Sequence, residues 1–174
     1  MQRREYLAGG AGLAALLAGG AYVTLGDRRG PERLQATEVR TLAVDGAAPA
    51  TITVPVPDTY TVLDIFSYGC GECQKQMGTL ETARAALGDA AQFVSIHPSY
   101  MVDDPTDPEP VLDFWANHGS DWPLAMDPGD YFYEAFEKPA FPFTAVIDPD
   151  NRVLWSATGV TGPGPIERAV EGGD

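Results

Sequence analysis

A chain of 174 residues with 44% hydrophobic content has room for one domain with a real core, plus an extension. Its 25 acidic against 11 basic residues give a net charge of −14, and Lys75 and Lys138 are the only lysines. This balance repels nucleic acid and fits solvation in concentrated salt, as in an extreme halophile, or else a charge that guides a basic partner.

Residues 1–29 read as a targeting segment. Arg3-Arg4-Glu5-Tyr6-Leu7 resembles a twin-arginine signal, and Tyr6 to Leu25 follows as twenty uncharged residues before Asp27-Arg28-Arg29. At about 1.5 Å per residue this stretch just spans a bilayer core, and no clear A-x-A site follows it, so an anchor and a cleaved signal are both open. Its five glycines disfavour a soluble helix, and it holds no Cys for lipid attachment. Export by the twin-arginine route to the extracytoplasmic face is the expectation.

Residues 30–38 read as a polar linker, and 39–174 as the folded domain. Arg40 to Val44 and Ala50 to Val54, about Asp45-Gly46, form an expected hairpin. Thr61 to Ser67 is apolar and β-prone except for Asp64, and reads as a buried strand. Gln74 to Leu87 carries helical spacing in Met77, Leu80, Ala83 and Leu87, with Gly88 as a stop. Gln92 to Ile96 is the next strand, ending at His97-Pro98. Ser99 to Pro110 is a loop, Val111 to His118 a helix and Leu124 to Met126 a short strand. Tyr131, Phe132 and Phe136 sit at helical spacing and suit the core. Asp148-Pro149-Asp150-Asn151 joins strands Phe143–Ile147 and Val153–Ala157, and Pro165 to Val170 closes the chain as a helix after the Gly159 to Gly164 connection.

The chemistry sits at Cys70-Gly71-Glu72-Cys73, which holds the only two cysteines. A C-x-x-C between a strand and a helix lets two thiols close a disulfide with little backbone movement. The helix N-terminus favours an anion, so Cys70 is expected as the thiolate nucleophile and Cys73 as the resolving thiol one turn inside. A purely structural bridge and half of a metal site are the competing readings. Asp64 costs free energy on an apolar strand unless it is protonated or paired, so its pKa is expected to rise; a solvent-facing Asp64 is the other reading. Glu72 puts a negative charge beside Cys70 and no cation lies within three residues of it, which favours a reductant over a disulfide donor.

The run Phe66 to Met77 resembles the F-W-A-x-W-C-x-x-C-K segment of the thioredoxin superfamily, and more closely its extracytoplasmic TlpA/ResA-like branch. Gly69 stands where that family usually has Trp, with Tyr68 as a partial substitute. Phe141-Pro142-Phe143-Thr144-Ala145-Val146-Ile147-Asp148 is similar to the family's P-T-x-x-x-I-D strand. The resemblance spans about Val54 to Val170. It implies an α/β thioredoxin fold: a central mixed sheet flanked by helices, with an N-terminal hairpin and an insertion before the cis-Pro strand. It also implies that Pro142 is cis and exposes Phe141 for strand-like pairing with substrate, a plain trans Pro being the alternative. Asp64 falls where thioredoxins carry a buried Asp, and would relay the proton of Cys73.

The implied activity is extracytoplasmic thiol-disulfide exchange through a Cys70–Cys73 disulfide, without a cofactor. Its partners would be exported cysteine-containing polypeptides, by analogy apocytochrome c or copper-site proteins, and a membrane-spanning electron donor. The rival class is a Sco-like copper-binding assembly factor, with Cys70, Cys73 and His97 or Met101 as ligands. Against it, such proteins use C-x-x-x-C and a ligand His before the strand that here follows Ala140 and Phe141. The two histidines, His97 and His118, lack zinc-site spacing, and Tyr68-Gly69-Cys70 lacks the flanks of a peroxidatic Cys. At a strand end His97 is otherwise a structural residue or an aid to proton transfer.

Overall fold

A computed structural model describes residues 30–172 apart from Asp45, Pro105 and Thr106. The targeting segment expected over residues 1–29, and Asp45 of the expected hairpin turn, lie outside the described residues. Among the described residues no helix is long and apolar enough to cross a membrane.

Two short strands, β1 (Thr37–Arg40) and β2 (Thr51–Val54), pair antiparallel. The central sheet is built on β3 (Tyr60–Ile65), whose Val62, Leu63 and Ile65 suit a buried strand. On one side of it β4 (Ala91–Pro98) and then β5 (Leu124–Asp127) run parallel. On the other side β6 (Phe143–Ile147) and then β7 (Val153–Thr158) run antiparallel, giving the order β5-β4-β3-β6-β7. The helices are α1 (Gly71–Leu87), α2 (Glu109–His118), α3 (Tyr131–Ala135) and α4 (Pro163–Glu171). This is the expected thioredoxin fold, with α2, β5 and α3 as the insertion before the Pro142 strand.

Side chains on a strand alternate between faces, so the sheet builds two cores. Val62, Phe66, Phe93 and Val146 meet Met77 and Leu80 of α1, Val111 and Phe114 of α2, and Ile166 of α4. Leu63, Ile65, Val94 and Ala145 meet Phe132 of α3 and Val39 and Val54 of the hairpin. The stripe Met77, Leu80, Ala83 and Leu87 buries one face of α1. Gly88 ends that helix with φ 53°, a left-handed backbone that glycine adopts without a Cβ clash, and donates its N–H to Arg84 O. Asn151 makes the β6–β7 turn at φ 64°, and the Asp148 side chain accepts the Arg152 N–H at 2.8 Å.

Two expectations shift. The hairpin pairs three residues earlier than expected on its first strand, at Thr37–Arg40. Beyond Arg40 the chain turns to the sheet edge, where Thr41 bridges Ala125 and Leu42 N–H donates to Leu124 O at 2.8 Å. Residues 30–38, expected as a linker, include the start of β1 and a docked segment: Leu34 is buried, its N–H donates to Asn151 O at 2.8 Å, and Val153 N–H donates to Glu32 O at 3.1 Å. Leu34 entering the core, with the backbone hydrogen bonds and the Arg33–Arg152 β-bridge beside it, seats on the β6–β7 turn a stretch whose composition reads as polar.

Candidate active site

The chain leaves β3 through Phe66 and turns at Tyr68 and Gly69, where Cys70 N–H donates to Ser67 O at 3.1 Å. Cys70 then caps α1 with an extended backbone, and its Sγ accepts the Cys73 N–H at 3.1 Å. The helix therefore begins at the cysteines themselves, as expected, ahead of the Gln74 to Leu87 stretch that carries the apolar spacing. Cys70 and Cys73 are joined as a disulfide with Cα atoms 5.3 Å apart. Cys70 is half-buried and Cys73 fully buried. Cys70 is thus open to an incoming group from solvent, while Cys73 is closed off from it. Free N–H groups at this helix end favour a thiolate on the same atom.

Asp64 is 1% exposed, so it does not face solvent. It lies between Val62 and Phe66, and so on the α1-covered face that also carries Cys73. Its register partners are Ser95 on β4 and Thr144 on β6, both fully buried, so a row of three polar side chains crosses the sheet. Ser95 Oγ donates to Asp64 Oδ2 at 2.9 Å, and Trp122 Nε1 donates to Ser95 Oγ at 2.9 Å. Asp64 Oδ1 has no hydrogen-bond partner among the described residues. Burial pushes the Asp64 pKa up to about 7, against the opposing pull of the Ser95 hydrogen bond.

Gln76, one turn after Cys73, closes the row from the helix side. It is fully buried, donates to Thr144 Oγ1 at 3.1 Å and Thr161 Oγ1 at 3.2 Å, and accepts the Thr161 N–H at 2.9 Å. This clamp ties the active-site helix to the Pro142 strand and to the connection leading into α4.

The Phe141–Pro142 peptide is cis, as the resemblance implied, and so is Val54–Pro55, which was not expected. Pro142 O accepts the Gly159 N–H at 2.7 Å. Half-buried Phe141 stacks on Tyr133 with ring centroids 5.7 Å apart, and Tyr133 meets Tyr100 at 4.9 Å. Tyr100 is 53% exposed, so this aromatic line runs from the Pro142 loop outward to solvent.

Tyr68, expected as a partial stand-in for a stacked Trp, stacks on His97, with centroids 5.4 Å and planes 23° apart. His97 is fully buried, meets Phe66 edge-on, and has no hydrogen-bond partner on either ring nitrogen among the described residues. Burial lowers its pKa to about 4, with the Pro98 backbone and Asp130 pulling weakly upward. Among the described residues no three His, Cys, Asp or Glu side chains meet as a metal-ligating group. Glu72, two residues after Cys70, pairs with Lys75 at 2.6 Å, both side chains being exposed.

Ser95, Trp122, Gln76 and Thr144 were not singled out in the sequence. Their signal is faint but present: Ser95 interrupts the apolar run Phe93-Val94-Ile96, and Gln76 sits three residues from Cys73 on the buried side of the helix.

The family model described as Redoxin matches residues 37–171. The chain belongs to the Redoxin family. With its C-x-x-C pair closed at a helix N-terminus, this Redoxin is a thiol-disulfide oxidoreductase. A comparison with curated protein sequences gives no match. Among solved structures, StoA from Bacillus subtilis is similar with a TM-score of 0.65 and 14% identity, over 80% of this chain and 98% of that one. A secreted Mycobacterium tuberculosis disulfide oxidoreductase homologous to E. coli DsbE aligns with a TM-score of 0.59 and 17% identity, over 78% and 95% of the two chains. The exposed lipoprotein thioredoxin Etrx1 of Streptococcus pneumoniae gives 0.62 and 15%, over 78% and 99%. At these identities the likeness is one of fold.

Proposed function

We propose that this Redoxin reduces cysteine pairs in exported polypeptides on the extracytoplasmic face. The observation that carries the reading is the asymmetry of the dithiol: Cys70 half-buried at the helix N-terminus and Cys73 wholly buried one turn inside. The Cys70 thiolate attacks a substrate disulfide; its Sγ bonds to one substrate sulfur while the substrate S–S bond breaks and the second sulfur leaves as a thiolate. Cys73 then gives its proton to the Asp64 carboxylate and attacks Cys70 Sγ. The Cys70–Cys73 bond forms, the mixed disulfide breaks and the first substrate sulfur leaves. The substrate gains two electrons and the protein loses two, and a membrane-spanning dithiol donor returns them.

Phe141 with the cis Pro142 receives the substrate backbone, and the aromatic line through Tyr133 to Tyr100 gives apolar side chains next to the target cysteine a place to pack. Glu72 next to Cys70, its charge partly offset by Lys75, supports the reducing direction. Substrate classes that fit are apocytochrome c and copper-site proteins awaiting reduction. The signal-like residues 1–29 support export by the twin-arginine route, followed by anchoring or release, and the acidic composition supports work in concentrated salt.

The test is a titration of the Cys70–Cys73 couple against glutathione or dithiothreitol in high salt, with Cu(I) binding measured on the reduced protein. A reversible couple near thioredoxin's, roughly −270 mV, without tight copper binding, is expected. A potential near that of strong oxidants reverses the direction, and stoichiometric tight Cu(I) binding moves the protein to the copper-assembly class.

A further inference from the structure

The polarity of the Trp122–Ser95–Asp64 chain is set by donor chemistry. An indole N–H can only donate, so Trp122 occupies a lone pair of Ser95 Oγ. Ser95 has one proton, and Asp64 Oδ2 is its acceptor at 2.9 Å. With the proton on Oδ1 only that O–H lacks a partner; if Asp64 instead carried its proton on Oδ2 and donated to Ser95, both the buried Ser95 hydroxyl proton and Oδ1 would be unpartnered, the costlier arrangement. Oδ2 is therefore held as an acceptor in both protonation states. The proton of the neutral acid belongs on Oδ1, the oxygen with no partner among the described residues.

We propose that Ser95, oriented by the Trp122 indole, is a positioning residue that confines the exchangeable proton of Asp64 to Oδ1 and sets how tightly that oxygen holds it. The donated hydrogen bond stabilises the carboxylate, and the indole strengthens it by polarising the hydroxyl. It opposes the burial that pushes Asp64 up to about 7, and so keeps this base able to release its proton near neutrality. The titratable groups on the surrounding elements are Cys73 on α1 and His97 on β4, the latter held neutral by burial. β6 faces Asp64 with Thr144, which does not titrate, and Arg84 over the Trp122 ring is ion-paired with Asp121.

The role of this proton in catalysis rests on the exchange reading above, but its location is measurable without turnover. In the full-length protein, the carboxyl carbon of Asp64 is followed by NMR across pH, assigned by its loss in Asp64→Asn. Ser95→Ala is expected to move the Asp64 midpoint upward by about one pH unit, roughly a tenfold gain in proton affinity. Trp122→Phe moves it upward by less, and Ser95→Thr, which keeps the hydroxyl, returns it to the wild-type value. An unchanged midpoint in Ser95→Ala, or a downward one in Trp122→Phe, overturns the proposal. Should Ser95→Ala not fold, Trp122→Phe decides, together with the infrared C=O band of protonated wild-type Asp64: a hydrogen-bonded carbonyl is expected, and a free one overturns the assignment. Insulin reduction by the wild type is run in parallel. If the midpoints shift but no exchange is seen, the exchange reading falls and the proton assignment stands; exchange with unmoved midpoints gives the reverse.

Discussion

Tyr68, two residues before Cys70, stacks on an imidazole that burial keeps in its neutral form at pH 7: His97, fully buried, has its pKa lowered to about 4. Unfolding returns it to about 6.5, so between 4 and 6.5 the unfolded chain binds more protons and stability falls as pH falls. Asp64 has the opposite sign. Its folded pKa of about 7 lies above the unfolded 3.8, so over that window the folded chain binds more protons and stability falls as pH rises. Asp127, raised to about 6 by burial, adds to the second effect.

These opposed contributions separate in single variants. Relative to wild type, His97→Phe is expected to gain stability as pH drops from 6.5 to 4, by up to about 3 kcal/mol. Asp64→Asn is expected to gain as pH rises from 4 to 7, by up to about 4 kcal/mol. Urea unfolding midpoints at pH 4, 5.5 and 7 check both, and parallel pH profiles for all three proteins would show that neither group is buried in its neutral form.

Exchanging Cys73 for Ala removes the thiol proposed to resolve Cys70. Mixed disulfides are expected to accumulate on Cys70 in cells, visible as adducts on non-reducing gels that collapse with dithiothreitol. Cys70→Ala should capture almost nothing, because Cys73 is buried. Equal trapping by both variants would contradict the assigned order of attack.

The charge beside the nucleophile is divided between Glu72 and Lys75. Glu72→Gln is expected to lower the Cys70 thiol pKa by a few tenths of a pH unit and Lys75→Gln to raise it by a similar step, with the double variant close to wild type. Thiolate absorbance against pH reads all three. Both single effects should fade in 1 M salt, where the screening length is about 3 Å.

Gln76 offers a test of the clamp between α1 and the Pro142 strand. Gln76→Ala leaves the Thr161 N–H and the buried Thr144 hydroxyl without their partner, at a cost of about 2 kcal/mol measured by urea denaturation. Gln76→Glu should cost at least as much, since a carboxylate accepts from Thr161 but cannot donate to both threonines.

Local patterns carried much of this in the sequence. Cys70 and Cys73 at a strand–helix junction, Asp64 within an apolar strand, and Pro142 before a β-branched run are each readable from their neighbours alone. The hairpin register was not, because neither Thr37–Arg40 nor Arg40–Val44 carries a clean polar/apolar alternation, and Leu42 pairs with the edge of β5 instead of with β2. Leu34 reads as an isolated apolar residue until the β6–β7 turn is placed beside it. Ser95 and Trp122 acquire meaning only through the pairing of β3 with β4, a contact 31 residues apart for Ser95 and Asp64. Gln76 has the look of a surface residue on a helix, and its burial follows from the loop that α4 brings over it.

The sulfur that caps α1 is also the one proposed to change partners in each exchange cycle. Whatever improves it as an acceptor for the Cys73 N–H stabilises the reduced, thiolate-capped helix over the bridged form, and so makes the protein easier to reduce. Helix stability and redox direction are therefore a single selectable property at Cys70: a substitution in the first turn of α1 that firms the helix in the reduced state also shifts the direction in which electrons flow.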